Sequence, residues 1–299
     1  MLQHTEKIAS IYQKLQQEMC RQLEQCDGKA KFAQIPWAKD IGSGLTCVMR
    51  HGNVIEKAGL NFSHVEADFT DKMECLLGHK ANRYSATGIS SIIHPFNPFM
   101  PIIHMNVRFF ELNNGVRWFG GGIDLTPHYV DTAEAAWFHQ TLQNICDKYD
   151  TNYYPQYKDW ADDYFYIKHR NETRGVGGIF FDHIEPDGEE AFQKILEFTV
   201  ELAKAYPQIY CAIMDKKRDT PFDESNKQWQ CLRRSRYVEY NLIYDRGTRF
   251  GLESNGNTES ILVSMPPIAQ WEYDFKPKEN SPEQNTLEWL KKGIDWVKQ

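Results

Sequence analysis

The stretch from His104 to Asp124, HMNVRFFELNNGVRWFGGGID, constrains the fold more than any other. In an extended chain Met105, Val107 and Phe109 point to one side, and His104, Asn106, Arg108 and Phe110 to the other. The first set reads as core. Three polar groups of different chemistry on the second side suit a pocket wall better than a solvated face. Asn113, Asn114 and Gly115 all tolerate positive φ and read as a hairpin loop. A three-residue loop ending in a left-handed glycine pairs Leu112 with Val116. That register sets Gly120 opposite Arg108, Gly122 opposite Asn106 and Asp124 opposite His104, which leaves floor space for a ligand. A two-residue loop would shift the parity and turn Asp124 away. The plainer alternatives are a hairpin whose glycines only form a bulge, or an Arg108–Asp124 pair across it.

The rest of the chain orders itself around this hairpin. Ile8, Ile11, Leu15 and Met19 make a helical stripe over Thr5–Leu23. Short strands are expected at Leu45–Arg50 and Val54–Ala58, and another at Ser85–Ile93. Residues 61–82 have no clear period and read as loop with a little helix. A capping box at Asp131–Glu134 starts a helix that runs to about Lys148. A helix fits Pro155 to about Arg170, with proline at its first position. A short strand follows over Gly178–Asp182. Asp187 caps a helix that ends before Pro207, and a shorter helix spans Pro221–Leu232. Residues 236–265 alternate like strands around a turn at Ser254–Asn257, and Ser281-Pro282 opens a last helix. Strands joined by short turns are antiparallel. The expectation is one α+β domain over 1–299: a large antiparallel sheet with helices on both faces.

Net charge is −7 over 299 residues, so a nucleic-acid partner is not expected. An acidic chain that binds an anion needs locally placed arginines. The seven cysteines, odd in number and with no C-x-x-C pair, argue against a disulfide framework and a thiolate-bound metal. They suit a reducing compartment, so a cytoplasmic protein is expected. No run of 18 apolar residues exists to span a membrane. P-loop, dinucleotide and nucleophile-elbow patterns are absent. His94, His104, His139 and His169 stand out, without a short zinc motif among them. His139 lies beside an apolar stripe, where a hydrogen-bonded core histidine is the commoner case.

Several long runs resemble the oxygen-dependent coproporphyrinogen III oxidases. They are HPFNPFMPIIHMNVRFF from His94, then WFGGGIDLTP, KHRNETRGVGGIFFD at 168–182, RYVEYNLIYDRGTRFGL at 236–252, and the MPP and WEYD pieces at 265–274. The likeness runs from about Gly42 to the C-terminus. It implies oxidative decarboxylation of two propionates of coproporphyrinogen III to vinyl groups in heme biosynthesis. Molecular oxygen is the co-substrate and no organic cofactor takes part. By position it implies substrate contacts at Ser90, Asn106, Val107 (through its backbone), Arg108, Asn255, Gly256 and Asn257. Asn257 departs from the arginine common in that loop. Arg108 is the expected grip on a propionate, His104 the general acid, and Asp124 the group that holds pyrrole N–H or steers a pyrrole deprotonation. Some members have been treated as metal-dependent through histidines at 94, 104, 139 and 169, which makes these four candidate ligands of a divalent ion. The family is homodimeric through a region matching Tyr237–Glu272. A porphyrin carrier, the alternative from another class, would need no acid–base set.

Overall fold

The computed structural model describes residues 3–253 and 256–299. In chain order the elements are α1 (Gln3–Asp27), β1 (Ala33–Lys39), β2 (Gly42–Arg50), β3 (Ile55–Asp68), α2 (Asp71–Leu77), β4 (Arg83–Pro95), β5 (Ile102–Leu112) and β6 (Arg117–Thr126). Then come α3 (Thr132–Asp147), α4 (Tyr153–Tyr164), the two-residue strands β7 (Tyr166–Ile167) and β8 (Glu172–Thr173), β9 (Gly177–Ile184) and α5 (Gly188–Lys217). The chain ends with α6 (Glu224–Ile243), α7 (Arg246–Glu253), α8 (Thr258–Leu262) and α9 (Pro282–Trp289).

Seven strands form one antiparallel sheet in the order β1-β2-β3-β4-β5-β6-β9. The fold is α+β, as expected. Leu112 N–H donates to the Val116 carbonyl at 2.8 Å, and Gly115 has φ 93°. The three-residue loop therefore holds, and Asp124 lies opposite His104, Gly122 opposite Asn106 and Gly120 opposite Arg108.

Alternation gives the sheet two unlike faces. Leu60, Ile89, Met105, Val107, Phe109 and Ile123 are buried on one, against α1 and α5. Rows of paired residues cross the other face. One runs Trp37, Gly44, Ser63, Gly88, Arg108, Gly120. The next runs Ile35, Thr46, Asn61, Ser90, Asn106, Gly122, Phe180. Small and polar side chains make this face a low, wettable floor. α6, α7 and α8 lie over it. Ser260 fastens the roof: its hydroxyl meets Thr46 Oγ1 at 2.6 Å, and its carbonyl accepts from Asn61 Nδ2 at 2.6 Å.

The expected strands over 236–265 are helices instead. Trp229, Arg233, Arg234, Tyr237, Tyr240 and Asn241 are buried on one face of α6 at helical spacing. Arginines and an asparagine on the inner face hide that stripe. Asn257 caps α8 rather than closing a hairpin; Ser254 and Asn255 lie outside the described residues. Residues 61–68 belong to β3, whose polar side faces the floor and so lacks an amphipathic signature. β1 forms where the sequence suggests a loop. α4 starts at Tyr153 and stops at Tyr164, short of Arg170. α5 continues through Pro207 to Lys217. Pro207 and its neighbours Tyr206 and Tyr210 are buried, so packing overrides the lost backbone bond.

The cysteine expectation is corrected too. Cys26 at the end of α1 is bonded to Cys211 in α5, 185 residues away. The pair forms because α1 and α5 pack side by side, which spacing along the chain cannot reveal.

Candidate active site

Between floor and roof lies a cavity of about 390 Å³. β4 and β5 contribute Ser90, His104, Asn106 and Arg108 to it, β1 adds Trp37 and Lys39, and the roof adds Asn241, Asp245, Gly256 and Asn257. The expected contacts at Ser90, Asn106, Arg108, Gly256 and Asn257 therefore share one space. Val107 lines it too, with its side chain fully buried in the core, so only its backbone faces a ligand. Asn255 lies outside the described residues.

His104 Nδ1 is 3.0 Å from Asp124 Oδ1. Arg174 donates to the same carboxylate through Nη2 to Oδ1 at 2.6 Å and Nε to Oδ2 at 3.1 Å. Burial pushes the Asp124 carboxyl up. The Arg174 guanidinium and His104 outweigh it and hold the group below the ordinary carboxylate range. An ionised Asp124 only accepts, so His104 Nδ1 carries a proton and donates. That leaves Nε2 as the ring nitrogen available to the cavity. Asp124 itself is 1% exposed, so it stands behind His104 rather than in contact with the ligand space.

Arg108 does not pair with Asp124. Its Nη2 is 2.9 Å from Asp182 Oδ2, and its Nη1 donates to Asn106 Oδ1 at 3.0 Å. Burial alone would raise the Asp182 carboxyl, but His183 and Arg108 bring it down to about 2. Gly120 makes room for this pair, since a Cβ there would fall 2.6 Å from Asp182 Oδ1 and 2.8 Å from Arg108 Nε.

The four candidate metal histidines do not converge. His94 is buried, and its Nε2 donates to the Ser264 carbonyl. His139 lies on the core side of the sheet, donates from Nε2 to the Val176 carbonyl and accepts from Tyr154 at Nδ1. His169 bonds Glu239 and Tyr244 at the surface. Among the described residues no cluster of three or more His, Cys, Asp or Glu could hold an ion. The donors present do not fit a shared metal.

Residues 7–296 match the family model for coproporphyrinogen III oxidase. The chain belongs to the coproporphyrinogen III oxidase family. It is an oxidoreductase that decarboxylates coproporphyrinogen III in heme biosynthesis. The family match begins inside α1, well before Gly42, where the resemblance first becomes visible in the sequence. Among the described residues no helix is long and apolar enough to cross a membrane.

Sequence reasoning missed three groups that the structure places in or behind this cavity. Arg174 lies within the KHRNETRGVGGIFFD run, with no local period to mark its burial among Phe165, Tyr237 and Tyr240. Asp245 follows α6, accepts from Tyr164 Oη at 3.0 Å and lines the cavity. Lys39 ends β1, a strand without a local signal in the sequence.

Proposed function

We propose that the chain uses molecular oxygen to convert two propionates of coproporphyrinogen III to vinyl groups. The product is protoporphyrinogen IX. For each side chain, R–CH2–CH2–COO⁻ + O2 + H⁺ gives R–CH=CH2 + CO2 + H2O2. A C–H bond of the ring-side methylene breaks and its two electrons reduce oxygen to peroxide; the bond to the carboxylate carbon breaks, and its electron pair forms the vinyl double bond.

The observation that carries this reading is His104, oriented by a buried carboxylate and facing a polar floor beside Arg108. A porphyrinogen is electron-rich and reacts with oxygen itself. The protein's task is then to bind, orient and move protons. His104 Nε2 is placed to exchange a proton with the ligand. Asp124 and Arg174 hold its ring in one tautomer. Arg108 presents a guanidinium to a propionate. No organic cofactor is invoked.

We infer also that the protein works as a homodimer through about residues 237–272. Leu242, Ile243, Leu252, Ile268 and Trp271, all in that segment, are between 42% and 60% exposed, which supports an interface there.

The deciding experiment incubates the purified chain with coproporphyrinogen III, with and without oxygen. One CO2 and one H2O2 per vinyl group, only in oxygen, is the expected result. Product formed without oxygen, or no product at all, overturns it.

A further inference from the structure

The proposed substrate carries four carboxylates, and the role inferred for Lys39 rests on that substrate. The chain as a whole is −7, so binding depends on cations placed inside the cavity. Among the described residues, Lys39 and Arg108 are the lysine and arginine that line it. Arg108 shares its charge with Asp182 at 2.9 Å, and Asp245 adds a second carboxylate to the wall. A ligand with four carboxylates needs more than one cation on the wall, and Lys39 supplies the second.

Lys39 sits at the far end of the floor. The row that contains Arg108 ends at Trp37, four strands away. At about 4.8 Å per strand this separates the two backbones by about 19 Å, and Lys39 lies two residues further along β1. Its Nζ donates to the Gly256 carbonyl at 3.0 Å, so the ammonium stands at the seam between floor and roof. The Trp37 ring covers Gly44, where an added Cβ would come within 2.5 Å of it, and forms an apolar wall beside that ammonium. His104 belongs to the row that ends at Ala33, six residues from Lys39 along the same strand.

We propose that Lys39 is a substrate-binding residue that takes a propionate other than the one reacting. Its ammonium and the Arg108 guanidinium hold opposite sides of the macrocycle rim. A contact made equally before and during reaction acts on KM rather than kcat.

The test is steady-state kinetics with coproporphyrinogen III at low and high salt, for wild type, Lys39→Met, Lys39→Arg and Lys39→Glu. Lys39→Met keeps the apolar stem, and the side chain is exposed, so folding is preserved. Lys39→Met should raise KM about tenfold with kcat within about twofold, as expected for loss of a charge-assisted hydrogen bond. Lys39→Arg should restore most of the affinity, and Lys39→Glu should lose more than Lys39→Met. High salt should raise the wild-type KM by a larger factor than that of Lys39→Met, which keeps only the Arg108 contact. Wild-type KM in both Lys39→Met and Lys39→Glu overturns the proposal while the functional reading stands. No turnover by wild type overturns both.

Discussion

Arg174 grips both carboxylate oxygens of Asp124, and the two side chains are almost sealed from solvent at 1% and 2% exposure. The guanidinium lies over the rings of Phe165, Tyr237 and Tyr240, 4.4–4.9 Å from their centroids. Asp124 is thereby kept ionised in a place that would otherwise protonate it, and His104 is held from behind. A buried pair of this kind is costly to half-remove, because the remaining charge has no water to turn to.

Arg174→Met should therefore destabilise the protein by about 3–5 kcal/mol, and Asp124→Leu by a similar amount. The double variant should lose far less than the sum. Urea unfolding of the two singles and the double measures the coupling. Additive losses would mean that the pair is not the unit described.

His104→Gln tests the chemistry rather than the scaffold. It should lower kcat about a hundredfold or more, with little change in melting temperature. Asp124→Asn should also lower kcat, because an amide no longer fixes the imidazole tautomer. Normal kcat in the folded fraction of His104→Gln would remove His104 from proton transfer.

Acid should weaken the fold in a specific window. Burial depresses the His139 imidazole from its ordinary value of 6.5 to about 4. Between those values the unfolded chain binds a proton that the folded chain does not, so stability falls as pH drops from about 6.5 to about 4. The loss from this residue alone is about 3 kcal/mol. His94, whose value burial and Arg234 also depress, adds to it in the same direction. Asp124 has a depressed value as well, and its contribution is present above the unfolded carboxylate range and is lost as pH falls through its folded value. Denaturant midpoints measured from pH 7 to pH 4 should fall steadily. His139→Gln should flatten the slope, and an unchanged slope in that variant would show that His139 does not carry it.

Reduction of the Cys26–Cys211 bond should lower the melting temperature by several degrees. The bond closes a loop of 185 residues, and crosslinks over long loops stabilise by roughly 2–4 kcal/mol. Scanning with and without reductant, alongside Cys26→Ser, separates this effect from the thiols of Cys20, Cys47, Cys75, Cys146 and Cys231. The same shift for Cys26→Ser and for reduced wild type is expected. A Cys26→Ser protein that still shifts on reduction would place the effect elsewhere.

The central hairpin is legible because it is local. Asn113-Asn114-Gly115 sets the loop length, loop length sets parity, and parity alone puts His104, Arg108 and Asp124 on one face. Helix starts at Asp131 and Ser281 are legible for the same reason: each cap bond spans three residues. The residues that align on the floor at 90, 106 and 108 belong to motifs that are contiguous in sequence.

The roof over that floor depends on contacts far apart in the chain. Alternation in 236–265 is compatible with a strand until Arg233 and Arg234, on the inner face of a helix, find half-buried carboxylates at Glu172 and Glu56 and the Pro95 carbonyl. Asp124 could have taken Arg108 as its partner by register; the chain returning at 174 supplies a more deeply buried guanidinium, and Arg108 goes to Asp182. Cys26 and Cys211 meet because α1 lies along α5. The sequence by itself determined which residues share a face of the sheet, since side-chain direction in a strand follows from counting by two. Tertiary structure decided which charges neutralise one another and where the roof closes, since those choices are made among groups 50 to nearly 200 residues apart.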